Sequence, residues 1–286
     1  MVVGLSLLAA TAYGLGTVLQ QKGTLQDDGG AGVRFLTGLF RRPVWLAGAA
    51  VTVLGAVCQA LALRSGPLAV VQALTTLSLV IALPFGVRLT DQQVTARVWT
   101  GAGATTAGVV LFVAVGAPQS GAGGPSATAW LLAGLVAAFL VVVLVRAGSA
   151  RSGSTRALLL GAAAGLGYGL ASALAKALTG RFADGLGAVL TSWELYGLAA
   201  AGILGLATGQ AALRTGALAP AMAATSSVAL LAGVVLGLTV FGETLARGPG
   251  HLAAVVTGLA AAILGIALLS RAPAPAERAP SPTAGR

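Results

Sequence analysis

Two stretches of this chain repeat one another within long apolar runs. Arg64-Ser65-Gly66-Pro67-Leu68-Ala69, followed by Thr75-Thr76, returns as Arg214-Thr215-Gly216-Ala217-Leu218-Ala219, followed by Thr225-Ser226. Tyr13-Gly14-Leu15 returns as Tyr168-Gly169-Leu170, with Leu19 answered by Leu174 and Thr24 by Thr179. From Arg64 to Arg214 the offset is 150 residues, and from Tyr13 to Tyr168 it is 155. Two copies of about that length therefore stand in tandem. Duplication of an apolar bundle points to a transporter, because substrate sites in such proteins lie between the repeats.

The apolar background decides the class. Hydrophobic residues make up 57% of the 286 residues and charged ones 8%, against roughly a quarter charged in soluble domains. So few charges cannot cover a soluble fold of this length. The net charge of +10 does not mark a nucleic-acid binder, because the basic residues sit between apolar runs rather than on one polar face. Their expected partner is the anionic inner leaflet of a bilayer. The single cysteine, Cys58, lies within an apolar run and reads as a small core residue.

A spanning helix needs about 20 mostly apolar residues. The runs predict spans at Val2–Gln20, Val44–Leu63, Pro67–Val87, Val94–Val115 and Ala127–Val145. Four more follow at Ala157–Leu178, Ala188–Leu213, Ala217–Gly242 and Leu252–Ser270. The first is read as a retained helix, since it opens the repeat and no basic residue precedes it. The predicted organisation is a first repeat (1–117), a linker with the fifth helix (118–154), a second repeat (155–271) and a disordered cytoplasmic tail (272–286). The loop from Thr24 to Arg42 is also expected to be flexible.

Lys and Arg between the spans set the orientation. With the N-terminus outside, 13 of them face the cytoplasm, and only Arg64, Lys176, Arg181 and Arg247 fall in outer loops. The N-terminus is thus expected outside and the C-terminus inside, in a bacterial cytoplasmic membrane. Trp45, Trp99, Trp130 and Trp193 all fall at or near the start of a span, as an interfacial aromatic belt would place them. Four helices precede the fifth and four follow it, so the second copy is expected upside down relative to the first. That is the inverted-topology arrangement used for alternating access.

No metal-ligand cluster, nucleophile triad or phosphate loop is present in the sequence, so neither an enzyme nor a cofactor is expected. His251 opens the last span with no Cys or carboxylate at ligand spacing. All seven acidic residues (Asp27, Asp28, Asp91, Asp184, Glu194, Glu243 and Glu277) are placed in loops or at span ends. The interior polarity is instead uncharged. Gln59, Gln72, Thr75, Thr76 and Ser78 lie on the second and third spans, and Gln210, Thr225, Ser226 and Ser227 answer them in the second half. An amide or hydroxyl in lipid must find a partner or face a cavity. A shared polar cavity and simple interhelical bonding both satisfy that demand. Tyr13 and Tyr168 sit in mid-helix among glycines. Gly161, Gly165 and Gly169, and Gly233 with Gly237, read as packing seams. Pro84 and Pro220 are expected to bend the third and eighth helices.

These residues resemble the drug/metabolite transporter superfamily. The four-helix unit is similar to the small multidrug resistance building block, with Ala12-Tyr13, Gly16-Thr17 and Lys22 at related positions of its first helix. Tyr13 and Tyr168 stand where that family has its proton- and drug-binding glutamate. The closer likeness is to the EamA- and NIPA-like branch. It rests on Lys22-Gly23, on Arg41-Arg42-Pro43-Val44-Trp45-Leu46-Ala47-Gly48, and on the run from Gly66 to Leu74. Gly242-Glu243 matches the superfamily's Gly-Glu after the corresponding helix. The resemblance runs from about residue 1 to 271 and implies a nine-helix permease, with magnesium transport linked to the NIPA-like members.

The reading is an all-α polytopic permease moving a small polar or amphipathic solute through a midplane cavity. Its expected lining is Tyr13, Gln59, Gln72, Thr75, Tyr168, Gln210 and Thr225. A magnesium transporter is the alternative that the resemblance implies, and a non-transporting membrane scaffold is the alternative from another class. Expected partners are the bilayer and a small-molecule or ion substrate, with no nucleic acid, and a homodimer is the assembly this reading admits.

Overall fold

The computed structural model describes residues 1–25, 42–90, 96–121, 125–213, 215, 218–246, 248 and 250–269. The Asp27–Asp28 loop, Asp91, Arg214, Arg247 and the 272–286 tail, all of which entered the sequence reading, lie outside the described residues. What is described is helical. In chain order the helices are α1 (Val2–Leu25), α2 (Pro43–Ser65), α3 (Leu68–Thr75), α4 (Ser78–Thr90), α5 (Ala96–Gly116) and α6 (Ala127–Ser149). Then come α7 (Gly153–Arg181), a 3₁₀ turn (Phe182–Asp184), α8 (Leu186–Thr191), α9 (Trp193–Leu213), α10 (Leu218–Thr239) and α11 (His251–Leu269). Nine spans among the described residues are long and apolar enough to cross a membrane, as expected.

The differences from the sequence reading lie in how the spans begin, end and break. The third span is two helices, and the break falls at Thr76–Leu77 rather than at Pro84, which sits inside α4. The Thr75 and Thr76 hydroxyls both donate to the Gln72 carbonyl, at 3.1 and 2.9 Å. The Leu77 N–H takes the Leu74 carbonyl three residues back, the tighter 3₁₀ pattern. Hydroxyls competing for a helix carbonyl and a tightened turn together end α3. Pro220 lies in the first turn of α10, where a missing N–H costs nothing, so it opens that helix rather than bending it. The seventh span begins only at Trp193, after the short α8 and a break at Ser192. The eighth ends at Thr239, and the chain then turns back as a hook, Val240–Ala246.

Packing pairs the helices in a repeated pattern. α1 lies along α2 and touches α3 and α4, while α7 lies along α9 and α10. The last helices of the two copies, α5 and α11, lie along one another. Their crossing is built on glycine. A Cβ on Gly108 would run into the backbone of Gly258 and Ala262, and one on Gly258 would run into that of Gly108 and Phe112. Gly108 and Phe112 are each 150 residues from Gly258 and Ala262, so the contact is reciprocal. Thr105 meets Gly265 at one end of the crossing, and Gly116 meets Val255 at the other. The two helices therefore run antiparallel. The expected seam of Gly161, Gly165 and Gly169 is also present, lying against Ala221, Thr225 and Ala232 of α10. Small residues let backbones approach where lipid supplies no hydrophobic drive between helices.

The core follows the same plan. One cluster joins α3, α5, α10 and α11 through Ala73, Phe112, Leu230 and Ala262. Another joins α2, α3, α6, α7 and the hook through Leu63, Val71, Trp130, Leu174 and Phe241. The fifth span, α6, stands apart from this plan. It packs on α7 and leaves Leu131, Leu135, Phe139 and Val142 exposed, the dress of a helix facing lipid.

Candidate functional site

A polar chain crosses from the first copy to the second in the middle of the bundle. The Tyr13 hydroxyl on α1 donates to Gln59 Oε1 on α2 at 2.6 Å. Gln59 Nε2 reaches Ser172 Oγ on α7 at 3.4 Å, and Ser172 donates to the Tyr168 carbonyl at 3.0 Å. Thr17 makes the corresponding bond to the Tyr13 carbonyl at 2.8 Å. Each tyrosine ring rests on a glycine of the neighbouring helix. A Cβ on Gly55 would sit 3.0 Å from Tyr13 Cδ1, and one on Gly205 would sit 2.9 Å from Tyr168 Cδ1. Gly55 and Gly205 are again 150 residues apart.

The structure thus brings together Tyr13, Gln59 and, through Ser172, Tyr168. Gln72 is buried on α3 with its stem against Gly233 of α10, and its Oε1 has no hydrogen-bond partner among the described residues. Thr75 is spent on the helix break. Thr225 donates to the Gly161 carbonyl at 3.0 Å and to Ala221 at 2.9 Å, which joins α10 to α7. Gln210 does not answer Gln59 as expected. The position 150 residues beyond Gln59 is Gly209, and Gln210, one step round the helix, is exposed. The Tyr168 hydroxyl accordingly faces bare Gly209, at 3.6 Å from where a Cβ would stand.

Charged residues, expected in loops or at span ends, do more than the sequence indicated. Glu243 sits on the hook and is 3% exposed. Its carboxylate accepts the backbone N–H of Leu68 and, at 3.0 Å, that of Ala69, the open N-terminus of α3. Lys176, expected in an outer loop, lies within α7 and reaches Glu243 Oε1 at 2.5 Å, with its Nζ 4.8 Å from the centre of the Phe241 ring. A carboxylate at a helix N-terminus is favoured by the unpaired N–H groups and the helix dipole. The Lys176 ammonium completes its neutralisation. The hook is fixed from the other side as well. Gln119 and Thr244 exchange backbone hydrogen bonds at 2.9 and 3.1 Å, and Ala246 N–H donates to Gly116 at 2.8 Å. Glu243 is therefore a joint at which the end of the second copy closes on the start of α3 in the first. The Gly242-Glu243 pair was the only sequence signal for it.

At the same end of the bundle Arg181 holds Glu194 Oε1 through Nε and Nη2, at 3.1 and 2.7 Å. Trp130 meets Trp193 and Phe241 edge to face, at 5.3 and 5.8 Å between centroids. Two open cavities of about 900 and 430 Å³ lie near this end, the first between α6, α7 and α9 and the second beside the hook. Neither is lined by any of the seven residues expected to form a cavity. No group of three or more His, Cys, Asp or Glu side chains able to hold a metal occurs among the described residues.

Comparison with known proteins adds one relative. The chain is 27% identical over 241 residues to an uncharacterized protein of Corynebacterium glutamicum, covering 83% of each. No family model matches the sequence, and no solved structure matches it.

Proposed function

We propose that this chain is a multi-pass permease of the drug/metabolite transporter type. It moves a small polar or amphipathic solute by alternating access between two four-helix repeats of opposite orientation. The observation that carries this reading is the reciprocal, antiparallel crossing of α5 and α11 at Gly108 and Gly258. A two-fold axis relating antiparallel helices runs perpendicular to them, hence in the plane of the membrane. That is the symmetry of inverted repeats. The interrupted third span supports the same reading, since broken helices at the repeat interface are where such transporters hold substrate.

In this reading the structure corresponds to a state closed at the Glu243 end. Lys176, Glu243 and the α3 N-terminus form its latch, and the Tyr13–Gln59–Ser172 chain lies across the route. Opening would part Gln59 from Ser172, which are held only at 3.4 Å. The orientation proposed is N-terminus outside, in the bacterial cytoplasmic membrane, which puts the latch on the outer face.

A second reading, a membrane scaffold, is favoured by a specific observation. Tyr13 is held by Gln59, and Gln72 is packed hard on Gly233. Proteoliposomes loaded with a metabolite mixture and a magnesium indicator separate the readings. The permease is expected to deplete a class of neutral or zwitterionic solute, with Gln59→Leu slowing that flux at unchanged folding. Folded protein that passes no solute supports the scaffold. Magnesium uptake that survives Gln72→Ala and Thr75→Ala would remove those residues from the route.

A further inference from the structure

Two tyrosines rest on the same kind of seat, and only one of the seats is filled. Tyr13 on α1 lies on Gly55 of α2, and its hydroxyl donates to the Gln59 amide one turn further on. Tyr168 on α7 lies on Gly205 of α9, where the residue one turn further on is Gly209. A Cβ on Gly209 would meet only Ala164 Cβ and the Tyr168 hydroxyl within 4 Å, both at 3.6 Å. Apart from α9 itself, only α7 comes that close. Tyr168 is 36% exposed, and its hydroxyl, which borders this recess, has no partner among the described residues. The charges on both helices are distant or paired. Arg156 stands about three turns before Tyr168, and Lys176, about two turns after it, is held by Glu243. α9 carries only Glu194, at its far end and bound to Arg181. An ion in the recess would lose hydration with no opposite charge in return, whereas a neutral acceptor has only the hydroxyl to satisfy.

We propose that the recess over Gly209 binds a small neutral primary carboxamide. Its carbonyl oxygen accepts from the Tyr168 hydroxyl, as Gln59 Oε1 accepts from Tyr13, and its alkyl end takes the space of a glutamine stem. The filled seat is the template. There the ring, the glycine beneath it and the amide one turn on make a bond of 2.6 Å. In the other seat the ring and the glycine are present, and the amide is left to the ligand. As a binding site this stands by itself. As the solute that is moved, the carboxamide rests on the permease reading and narrows its neutral class.

The test is a ligand-observed NMR titration of the purified full chain in detergent with propanamide, propanoate and propylammonium. Propanamide is the glutamine side chain in free form, and a ligand so small binds in the millimolar range. It is expected to bind at least about tenfold tighter than either ion. Gly209→Gln supplies the amide from the chain itself and should abolish binding. Tyr168→Phe keeps the recess and should weaken binding about fivefold, the loss of one neutral hydrogen bond. That variant decides the matter if Gly209→Gln fails to fold. Propanamide binding that either substitution leaves intact overturns the proposal, and so does an ion that binds as tightly. No binding of propanamide overturns it too. The permease reading is then judged separately, by solute flux in proteoliposomes.

Discussion

The stretches around Tyr13 and Tyr168 share a packing motif and differ in chemistry. Tyr13 and Tyr168 occupy equivalent places, each lying on a glycine of the next helix, Gly55 or Gly205. One turn further on, the first copy has Gln59 and the second has Gly209. The first tyrosine hydroxyl is therefore hydrogen-bonded, and the second has no partner among the described residues. The third helices differ likewise. α3 and α4 break at Thr76–Leu77, whereas α10 runs unbroken through the corresponding Thr225–Ser226 and instead ends in the hook. Gly55 and Gly205, like Gly108 and Gly258, recur in both stretches, whereas the amide of Gln59 does not, so the polar chain is contributed by the first stretch reaching to Ser172 in the second.

The largest effect should come from removing the joint between the copies. Glu243→Ala leaves Lys176 buried without its partner and the α3 N-terminus without its acceptor. Breaking a buried pair in this way costs about 3–5 kcal/mol. Thermal or denaturant unfolding in detergent measures it. A loss under about 1 kcal/mol would mean that the hook is held by its backbone bonds to Gln119 and Gly116 alone.

Next in size are the glycines of the α5–α11 crossing. Gly108→Ala and Gly258→Ala each push a methyl into opposing backbone, an overpacking of about 1–3 kcal/mol. A Cβ on Gly108 would come within 2.5 Å of two backbone atoms, against 2.9 Å for Gly258, so Gly108→Ala should be the costlier of the two. A larger loss from Gly258→Ala would show that the backbone yields more readily at Gly108 than this spacing implies.

Gly209→Gln tests whether the missing amide is all that separates the tyrosine sites. The space exists, since a Cβ at Gly209 would meet only Ala164 Cβ and the Tyr168 hydroxyl, both at 3.6 Å. Replacing a helical glycine should stabilise by about 0.5–1 kcal/mol, and Gly209→Ala measures that part alone. The additional gain of Gln over Ala should be near 0.6 kcal/mol, typical of hydrogen bonds between membrane helices. It should vanish when Tyr168→Phe is combined with it. A gain that persists in the double variant would place the amide elsewhere.

Much of this was legible in the chain, and the rest was hidden for identifiable reasons. The nine apolar runs were readable because a bilayer demands length and hydrophobicity of each span, whatever it packs against. A bend is expected from the sequence at Pro84 and the break lies instead at Thr76–Leu77, since a proline's missing N–H is visible in sequence and a hydroxyl's choice of carbonyl is not. Lys176 and Glu243 looked like ordinary span-end charges. They are 67 residues apart, and only the hook's fold brings them together. Gln210 was matched to Gln59 by residue type. On a helix one step turns a side chain by about 100°, so a match one residue out of register points elsewhere.

The smallest effect, and the sharpest comparison, is the removal of one hydroxyl from each copy. Tyr13→Phe breaks the 2.6 Å bond to Gln59 and leaves that amide holding Ser172 alone. Tyr168→Phe removes a hydroxyl with no partner among the described residues, while its ring keeps its seat on Gly205. The first should cost about 0.6 kcal/mol and the second close to nothing, with both proteins otherwise folded alike. Paired unfolding curves in one detergent resolve the difference if several replicates are averaged. Gln59→Leu should then erase it, because Tyr13→Phe made in that background has no bond left to lose. If Tyr168→Phe proves the costlier change, the polar chain runs through the second copy, and the asymmetry assigned to Gln59 and Gly209 has the wrong sign.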